Sequence, residues 1–225
     1  MLNLRHIIRR RKARHKICIT TYFDDKFGVI GDLCYKSLLI YAKKHKLEAV
    51  LLRGIECDRP LPWHKILVIQ RLFAAGFEYV FWIDADAVFV DYVRDIAAEI
   101  DEDKDLYLVK HSIGSQDVPN TGVMLIKNSA WSNHFLNMIW SKDEYLDHKW
   151  WENAAAIDIL GYHSLLDENR PNRINQDLIG KIKWLGVGWN TVPGVCEAKQ
   201  PIIRHYAGMP LEQRITNIIK DLNRG

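Results

Sequence analysis

The stretch that decides the fold is EYVFWIDADAVFVD, residues 78–91. Residues 80–83 are all apolar, which is typical of a strand covered on both faces in an α/β sheet. Asp84 and Asp86 follow where this run ends, and side chains two positions apart on extended backbone point the same way. The pattern therefore aims two carboxylates at one point beyond the carboxyl end of a buried strand, where open α/β sheets bind their ligands.

Strand and helix patterns alternate before this stretch. They are a strand in KICITTYFDD, a helix in GVIGDLCYKSLLIYAKKHK, a strand in EAVLLR and a helix in PWHKILVIQRLFAAG. The second helix opens with proline and closes with glycine, as helices commonly do. A β-α-β-α-β order predicts a parallel sheet and an α/β fold.

The patterns become mixed after this stretch. DYVRDIAAEI, SAWSNHFLNMIW and WWENAAAIDILG have helical patterns, DLYLVK and GVMLIK have strand patterns, and short strands are predicted in KIKWLGVGWNTVPG and PIIRHYAG before a final amphipathic helix from about Leu211. We expect a Rossmann-like, nucleotide-binding half followed by a mixed, Trp-rich half. No GxGxxG follows the first strand and no GxxxxGK[ST] occurs, so the sequence gives no support for a dinucleotide-dependent dehydrogenase or a P-loop NTPase.

A second acidic segment, DEDKD at residues 101–105, shows that the Asp-x-Asp spacing alone means little. It is surrounded by charge and is predicted to be a solvated loop. It is not an EF-hand loop, because Leu106 and Ser112 stand where that loop needs glycine and glutamate. Context therefore singles out Asp84 and Asp86.

Length and composition predict one domain with a sizeable core, since 48% of the 225 residues are hydrophobic. No apolar run approaches the ~18 residues that cross a bilayer, and no secretory h-region is present, so we expect a cytoplasmic protein. The cysteines match no zinc or redox spacing, which favours buried thiols in a reducing compartment over disulfides. They are Cys18, Cys34, Cys57 and Cys196.

The net charge of +3 hides a basic N-terminal segment. Residues 1–16 carry seven Lys or Arg and no acid, so we predict a basic tail ahead of a domain at 17–225. With Leu2, Leu4, Ile7 and Ile8 as an apolar face, the tail could lie on the anionic inner face of a membrane. The alternative is a solvated terminus. The acidic body has no basic stripe, so nucleic acid is not an expected partner.

Two oxygen-ligand carboxylates suit a hard divalent cation, Mn²⁺ or Mg²⁺, held jointly with a diphosphate. Around them, the ordered segments PWHKILVIQRLFAAGFEYVFWIDADAVFVD, PNTGVMLIKNSAWS, WWENAAAIDIL and IIRHYAG resemble the motifs of glycosyltransferase family 34. That family comprises α-galactosyl, α-mannosyl and xyloglucan xylosyl transferases of the GT-A fold. The resemblance covers roughly residues 60 to 210 and implies a single GT-A domain.

The resemblance implies a metal and diphosphate site. Asp84 and Asp86, with Ala85 between them, would be the DxD motif that holds Mn²⁺ against the nucleotide diphosphate. His205 would supply a further metal ligand, although an isolated histidine in a strand is more often only hydrogen-bonded. Lys65 would lie near the nucleotide, where a cation offsets phosphate charge; its alternative is an exposed residue in the first turn of a helix.

The resemblance also implies residues for the donor. They are Thr20, Thr21 and Tyr22 at the base and ribose, Asn120 and Gly122 in NTG along the sugar, and Gly208 in RHYAG at the nucleotide sugar. The alternatives are an ordinary threonine-rich strand end and an ordinary turn, in which Asn and Gly are common.

The resemblance further implies retention of the donor's anomeric configuration. Glu152, in the first turn of a helix, would contact the donor sugar or stabilise charge at its anomeric carbon, and Asn153 would hydrogen-bond the sugar. The alternative for Glu152 is a favourable helix-dipole partner. We expect Trp150, Trp151 and Trp189 near the acceptor, because an indole packs against a pyranose, and Trp82, Trp131 and Trp140 in the core.

The expected function is metal-dependent transfer of a hexosyl or pentosyl unit from a nucleotide sugar, UDP-linked, to a glycan or lipid-linked saccharide in polysaccharide biosynthesis. Two departures from family 34 mean that its acceptors, location and donor are not carried over. Eukaryotic members have a membrane anchor ahead of the catalytic domain, whereas this chain is expected to start almost at the domain, and two motifs near the donor differ. Trp151-Glu152-Asn153 replaces an acidic pair and glutamine, and Met209-Pro210 lacks residues found near the final histidine. One alternative is a haloacid-dehalogenase-like phosphatase in which Asp84 is the nucleophile. The other is a non-catalytic binder of anionic lipid or nucleic acid.

Overall fold

The structure is a computed structural model that describes residues 15–113, 116–162, 166, 169 and 171–223. The strands are β1 Ile17–Thr21, β2 Glu48–Leu51, β3 Tyr79–Ile83, β4 Ala87–Phe89, β5 Leu106–Ile113, β6 Gln116–Lys127, β7 Ile182–Leu185 and β8 Ile203–His205. The helices are α1 Gly28–His45, α2 His64–Ala74, α3 Ala130–Trp140, α4 Trp151–Leu160, α5 Gln176–Ile179 and α6 Leu211–Leu222.

The main sheet has six strands in the order β2-β1-β3-β6-β5-β7. Strand β1 pairs in parallel with both β2 and β3, which confirms the predicted β-α-β-α-β start. Strand β6 is antiparallel to both neighbours, and β7 is again parallel to β5. The carboxyl ends of β1, β2 and β3 therefore open on one edge, as ligand sites of α/β sheets require.

Strand β3 lies in the middle of the sheet and is buried along its whole length. Val80 and Trp82 pack into the core on one face, whereas Tyr79, Phe81 and Ile83 pack into the core on the other. Each such side chain contributes about 1.5–3 kcal/mol when fully buried. The absence of alternation in the quoted stretch thus follows from helices and loops covering both faces.

A small second sheet brings the end of the chain to the acidic turn. Strand β4 begins right after Asp86 and pairs antiparallel with β8, so that Ala87 lies opposite His205. The Ala87 amide donates to the Asp84 carbonyl, which closes a tight turn between β3 and β4. This pairing decides where His205 lies.

Two predicted elements differ from the structure. The segment DYVRDIAAEI forms only a short 3-10 turn, Ile96–Glu99, instead of a helix. Asp95 caps that turn through the Ala97 amide, and Ile100 already has extended backbone. The segment GVMLIK is the second half of the twelve-residue β6 rather than a short strand, because its first half pairs with β5.

The N-terminal boundary is set by contacts of two residues from the predicted tail. His15 Nδ1 lies 2.7 Å from Glu78 Oε1, and the Lys16 carbonyl accepts the amides of Glu78 and Tyr79. These two residues therefore pack against the start of β3. The rest of the predicted tail, residues 1–14, lies outside the described residues.

The structure bears on two expectations about composition. All four cysteines are free thiols; Cys18 and Cys34 are buried, while Cys57 and Cys196 are only half-buried. Among the helices in the described ranges, none combines the length and the apolar character needed to cross a membrane.

Candidate active site

Three side chains that could bind a metal converge at the carboxyl end of β3. Ligand atoms of Asp84, Asp86 and His205 all lie within 4.8 Å of one another. His205 Nε2 is 3.2 Å from Asp86 Oδ1 and 3.7 Å from Asp84 Oδ2. Two carboxylate oxygens and one imidazole nitrogen form a donor set that suits a divalent cation.

Backbone hydrogen bonds hold this turn from both sides. The Asp84 amide donates to the Gly122 carbonyl of β6 at 2.7 Å, and the Tyr206 amide donates to the Asp86 carbonyl at 3.0 Å. Ala85, between the two carboxylates, has a buried side chain. The positions of the candidate ligands are therefore set by the two sheets rather than by a free loop.

The backbone of β6 passes close to the cluster at Gly122. A Cβ at this position would lie 2.2 Å from His205 Cε1 and 2.8 Å from Asp84 Oδ2. Only glycine lets β6 pass this close, so the space in front of the carboxylates depends on the absence of one side chain.

Each aspartate has one oxygen directed toward His205 and the other bound elsewhere. Asp84 Oδ1 accepts the indole N–H of Trp82 at 2.6 Å and lies 3.1 Å from Lys65 Nζ. Asp86 Oδ2 lies 3.3 Å from Arg214 Nη1 of α6. Contacts of this kind orient ligands around a metal.

Lys65 is buried at the centre of the site, with 2% of its surface exposed. Its ammonium lies 2.6 Å from Glu152 Oε1 and 3.1 Å from the Thr121 carbonyl. Burial alone would lower the pKa of Lys65, but the charges of Asp84 and Glu152 outweigh it and raise the pKa. Lys65 is thus a buried cation at neutral pH, and the exposed-helix alternative for it is wrong.

Glu152 lies in the first turn of α4 but is 4% exposed. Burial, together with the charge of Asp84, raises its pKa in spite of the neighbouring Lys65. Beside it, Asn153 Oδ1 accepts the Thr121 amide at 2.8 Å and the Thr121 hydroxyl at 3.0 Å. Both residues are thus tied to the NTG segment of β6, and their roles toward a sugar stay predictions.

The pKa values of His205 and Asp86 are shifted in opposite directions. Burial would lower the pKa of His205, yet Asp86 holds it above its ordinary value. Burial would raise the pKa of Asp86, but His205 and then Arg214 hold it below its ordinary value. Each partner therefore favours the charged form of the other, and a divalent cation bound there would replace the imidazole proton that faces Asp86.

The residues predicted for the nucleotide lie around the same edge. Thr20 and Thr21 are buried at the end of β1, and Thr21 Oγ1 has no hydrogen-bond partner in the part of the chain that the structure describes. The Tyr22 hydroxyl accepts the Ile55 amide. Gly208 has φ +73° in the turn between β8 and α6. Their contacts with a nucleotide stay predictions.

The division of the tryptophans between core and acceptor side differs from the prediction. Trp189 is 2% exposed and packs edge-on against Phe81 in the core, so its placement near the acceptor is wrong. Trp151 is 38% exposed and has φ +41°, and Trp150 is partly buried. Trp82 is buried as predicted, but it also binds Asp84.

Four residues of the site are not among the site residues predicted from the sequence. They are Thr121, Asn190, Arg214 and, as a polar group, Trp82. Thr121 lies within the quoted NTG motif and could have been included with its neighbours. Arg214 looks like any basic residue on an amphipathic helix, and Asn190 looks like a turn residue.

The chain is similar to known proteins in part of its sequence and in its fold. No protein-family model matches the chain. A rice protein named "Probable glycosyltransferase 6" (Oryza sativa subsp. indica) is 32% identical over 112 residues, which cover 45% of this chain and 23% of the rice protein. The chain thus spans about a quarter of that relative's length.

Several solved glycosyltransferase structures are similar to this chain. The enzyme involved in glycosylation of the major capsid of PBCV-1 superposes with a TM-score of 0.68 at 12% identity, covering 91% of this chain and 98% of that one. The chain has a GT-A glycosyltransferase fold. The galactosyltransferase LgtC, solved with donor and acceptor sugar analogs, has a TM-score of 0.55 at 13% identity, covering 90% of this chain and 95% of that one.

A third structure with this fold is mouse xyloside xylosyltransferase 1, with a TM-score of 0.51 at 9% identity, covering 88% of this chain and 99% of that one. The α/β GT-A fold predicted from the sequence is confirmed. These likenesses establish the fold, and the chemistry has to be argued from the side chains.

Proposed function

We propose that this protein is a metal-dependent glycosyltransferase that moves a hexosyl or pentosyl unit from a UDP-linked sugar to a glycan or lipid-linked saccharide, as a member of family 34. The observation that carries the proposal is the convergence of Asp84, Asp86 and His205 at the carboxyl end of β3 in a GT-A fold. Fold alone does not imply function, so the site has to support it.

The side chains suit Mn²⁺ or Mg²⁺ bound together with a diphosphate. Bound there, the cation would stabilise the negative charge that develops on the departing nucleoside diphosphate. Asp84 Oδ2, Asp86 Oδ1 and His205 Nε2 would hold it, since the imidazole nitrogen lies within 3.7 Å of both carboxylate oxygens. Gly122 leaves the room that a side chain would fill.

The remaining residues would bind and orient the donor. Lys65 fixes Asp84 and balances Glu152, and Glu152 with Asn153 would act on the sugar, which is transferred with retention. Thr20, Thr21 and Tyr22 would line the base and ribose at the end of β1, with Asn120 and Gly122 along the sugar and Gly208 at the turn that follows His205. The Thr21 hydroxyl has no hydrogen-bond partner among the described residues, which supports a polar ligand at that strand end.

Donor hydrolysis is the experiment that tests this proposal. UDP-sugars and GDP-sugars are incubated with the full chain, with and without Mn²⁺, and nucleoside diphosphate release is measured. Asp84→Asn or Asp86→Asn should lower the rate by about 100-fold or more, as loss of one focused electrostatic stabiliser does. Asp101→Asn and Asp103→Asn, in an exposed acidic segment with the same spacing, are the matched controls and should leave it unchanged.

The outcomes separate the alternatives. Metal-dependent release of UDP, with the donor's anomeric configuration kept in the product by NMR, supports the transferase. Release of phosphate from simple phosphomonoesters would point to the phosphatase, which the glycosyltransferase fold disfavours. If neither UDP nor phosphate is released, a binding protein is the remaining alternative. An inverted anomeric configuration in the product would contradict both retention and membership of family 34.

A further inference from the structure

A polar chain runs from the backbone of β6 to the imidazole of His205. The Gly122 amide donates to Asn120 Oδ1 at 2.8 Å, and Asn190 Nδ2 lies 2.9 Å from the same Asn120 oxygen. Asn190 Oδ1 in turn lies 3.0 Å from His205 Nδ1. These residues belong to three separate elements, namely β6, the 3-10 turn Val187–Asn190 and β8.

The Gly122 amide determines the direction of every hydrogen bond in this series. A backbone amide can only donate, so the Asn120 atom that faces Gly122 is oxygen. That oxygen can only accept, so Asn190 presents its NH₂ group to Asn120 and its oxygen to His205. His205 therefore carries a proton on Nδ1, and Nε2 is the nitrogen directed at the two aspartates.

The Asn190 and His205 end of this hydrogen-bond series is shielded from water and held by backbone contacts. Asn190 is 0% exposed and His205 is 3% exposed. The Asn190 carbonyl accepts a hydrogen bond from His111 Nε2 at 2.6 Å, and the Thr191 amide next to it donates to the Ile203 carbonyl of β8 at 3.0 Å. Little freedom remains for the Asn190 amide to turn over.

We propose that Asn190 is a positioning residue that sets the tautomer and orientation of His205, so that Nε2 serves as the ligand of the divalent cation. The proposal rests on the proposed metal-dependent function and deepens it. A metal-bound histidine characteristically donates its other N–H to an acceptor, and loss of such a partner costs about 10–100-fold in metal affinity or activity. Asn190 supplies that acceptor.

The same side chain reaches the predicted sugar side of the site. By donating to Asn120 Oδ1, Asn190 helps to hold the Asn120 amide in one of its two orientations. Loss of the Asn190 acceptor should therefore disturb the cation, whereas loss of only its NH₂ group should disturb Asn120. Two substitutions separate these effects, because Asn190→Ala removes both groups and Asn190→Asp keeps the acceptor.

The test is a titration of the metal-free full-length protein with Mn²⁺ alone. Free Mn²⁺ is measured by EPR, and ¹⁴N coupling from a bound imidazole is measured by electron spin echo modulation. Wild-type protein should bind one Mn²⁺ with imidazole coupling. Asn190→Ala should bind it about 10–100-fold more weakly and lose the coupling. Asn190→Asp should bind within about threefold of wild type and keep the coupling. His205→Ala defines the behaviour without imidazole.

Each outcome decides one of the two proposals. If Asp86→Asn binds Mn²⁺ as well as wild type, the metal site of the proposed function is wrong. If Asp86→Asn loses Mn²⁺ but Asn190→Ala keeps both affinity and nitrogen coupling, the site stands and the role of Asn190 is overturned. Should Asn190→Ala not fold, Asn190→Asp decides alone, since a folded variant without nitrogen coupling contradicts the proposal and one with it supports the proposal.

Discussion

Lys65 and Glu152 lie 87 positions apart in the chain, yet their charged groups are 2.6 Å apart in the interior. Lys65 comes from the first turn of α2 and Glu152 from the first turn of α4. The same ammonium reaches Asp84, so one buried cation joins a candidate metal ligand to a candidate catalytic carboxylate.

Replacing Lys65 by Met should destabilise the protein by about 3–5 kcal/mol, because it leaves two carboxylates without their cation. The free energy of unfolding in urea measures this. The double variant Lys65→Met/Glu152→Gln should recover part of the loss. Lys110→Met, which breaks a pair with Asp117 on the surface, is the control and should cost no more than about 1 kcal/mol. Equal losses for the two lysines would contradict the buried ion pair.

Glu152→Gln should lower turnover at least about tenfold while changing the donor KM by less than about threefold, because the proposed interaction is made mainly in the transition state. Glutamine keeps the shape of the side chain and removes its charge. Steady-state kinetics of donor hydrolysis with Mn²⁺ measures both constants. Near-normal turnover would return Glu152 to the role of a helix-dipole partner and ion pair of Lys65.

Gly122→Ala should abolish Mn²⁺ binding and donor hydrolysis, because the added methyl group would occupy the space next to His205 and Asp84. Mn²⁺ titration by EPR and thermal unfolding are the measurements. Gly186→Ala is the matched control: its backbone has ordinary φ of −64°, and a Cβ there meets nothing within 4 Å. A Gly122→Ala protein that binds Mn²⁺ normally would show that the cation site lies elsewhere.

Deletion of residues 1–14 should abolish salt-sensitive binding to anionic vesicles and leave donor hydrolysis unchanged. The segment carries six of the seven basic residues of the predicted tail, and each contributes about 1 kcal/mol near an anionic surface. The cut spares His15 and Lys16, which pack against the start of β3. Cosedimentation at low and high salt is the measurement. If the truncated protein sediments as well as the full chain, the tail is a solvated terminus.

Cys18 and Cys34 should resist thiol reagents at pH 8 in the folded protein, whereas the half-buried Cys57 and Cys196 should react. Burial raises the pKa of Cys18 to about 12 and the pKa of Cys34 well above its ordinary value. Since the thiolate is the reactive form and its fraction falls as the pKa rises, native titration should modify two thiols and denatured titration four. Four rapid reactions in the native state would contradict the packing of β1 and α1.

The sequence by itself determined the first half of the fold and the location of the two carboxylates at the end of β3. Residues 80–83 are apolar at every position because both faces of β3 are covered, and such a pattern is visible in one segment. The change from apolar residues to Asp84 and Asp86 is equally local. The helix limits followed from proline, glycine and periodicity, which also act within a few residues.

Only the tertiary structure decided how the site is completed. His205 reaches the carboxylates because β8 pairs with β4, and Asn190 and Arg214 reach it from a 3-10 turn and from α6. Hydrogen bonds and ion pairs between distant segments leave no period or spacing in the sequence. Trp189 shows the same limit, since its hydrophobic surface is compatible with a sugar or a core, and the position of its neighbour Phe81 decided for the core.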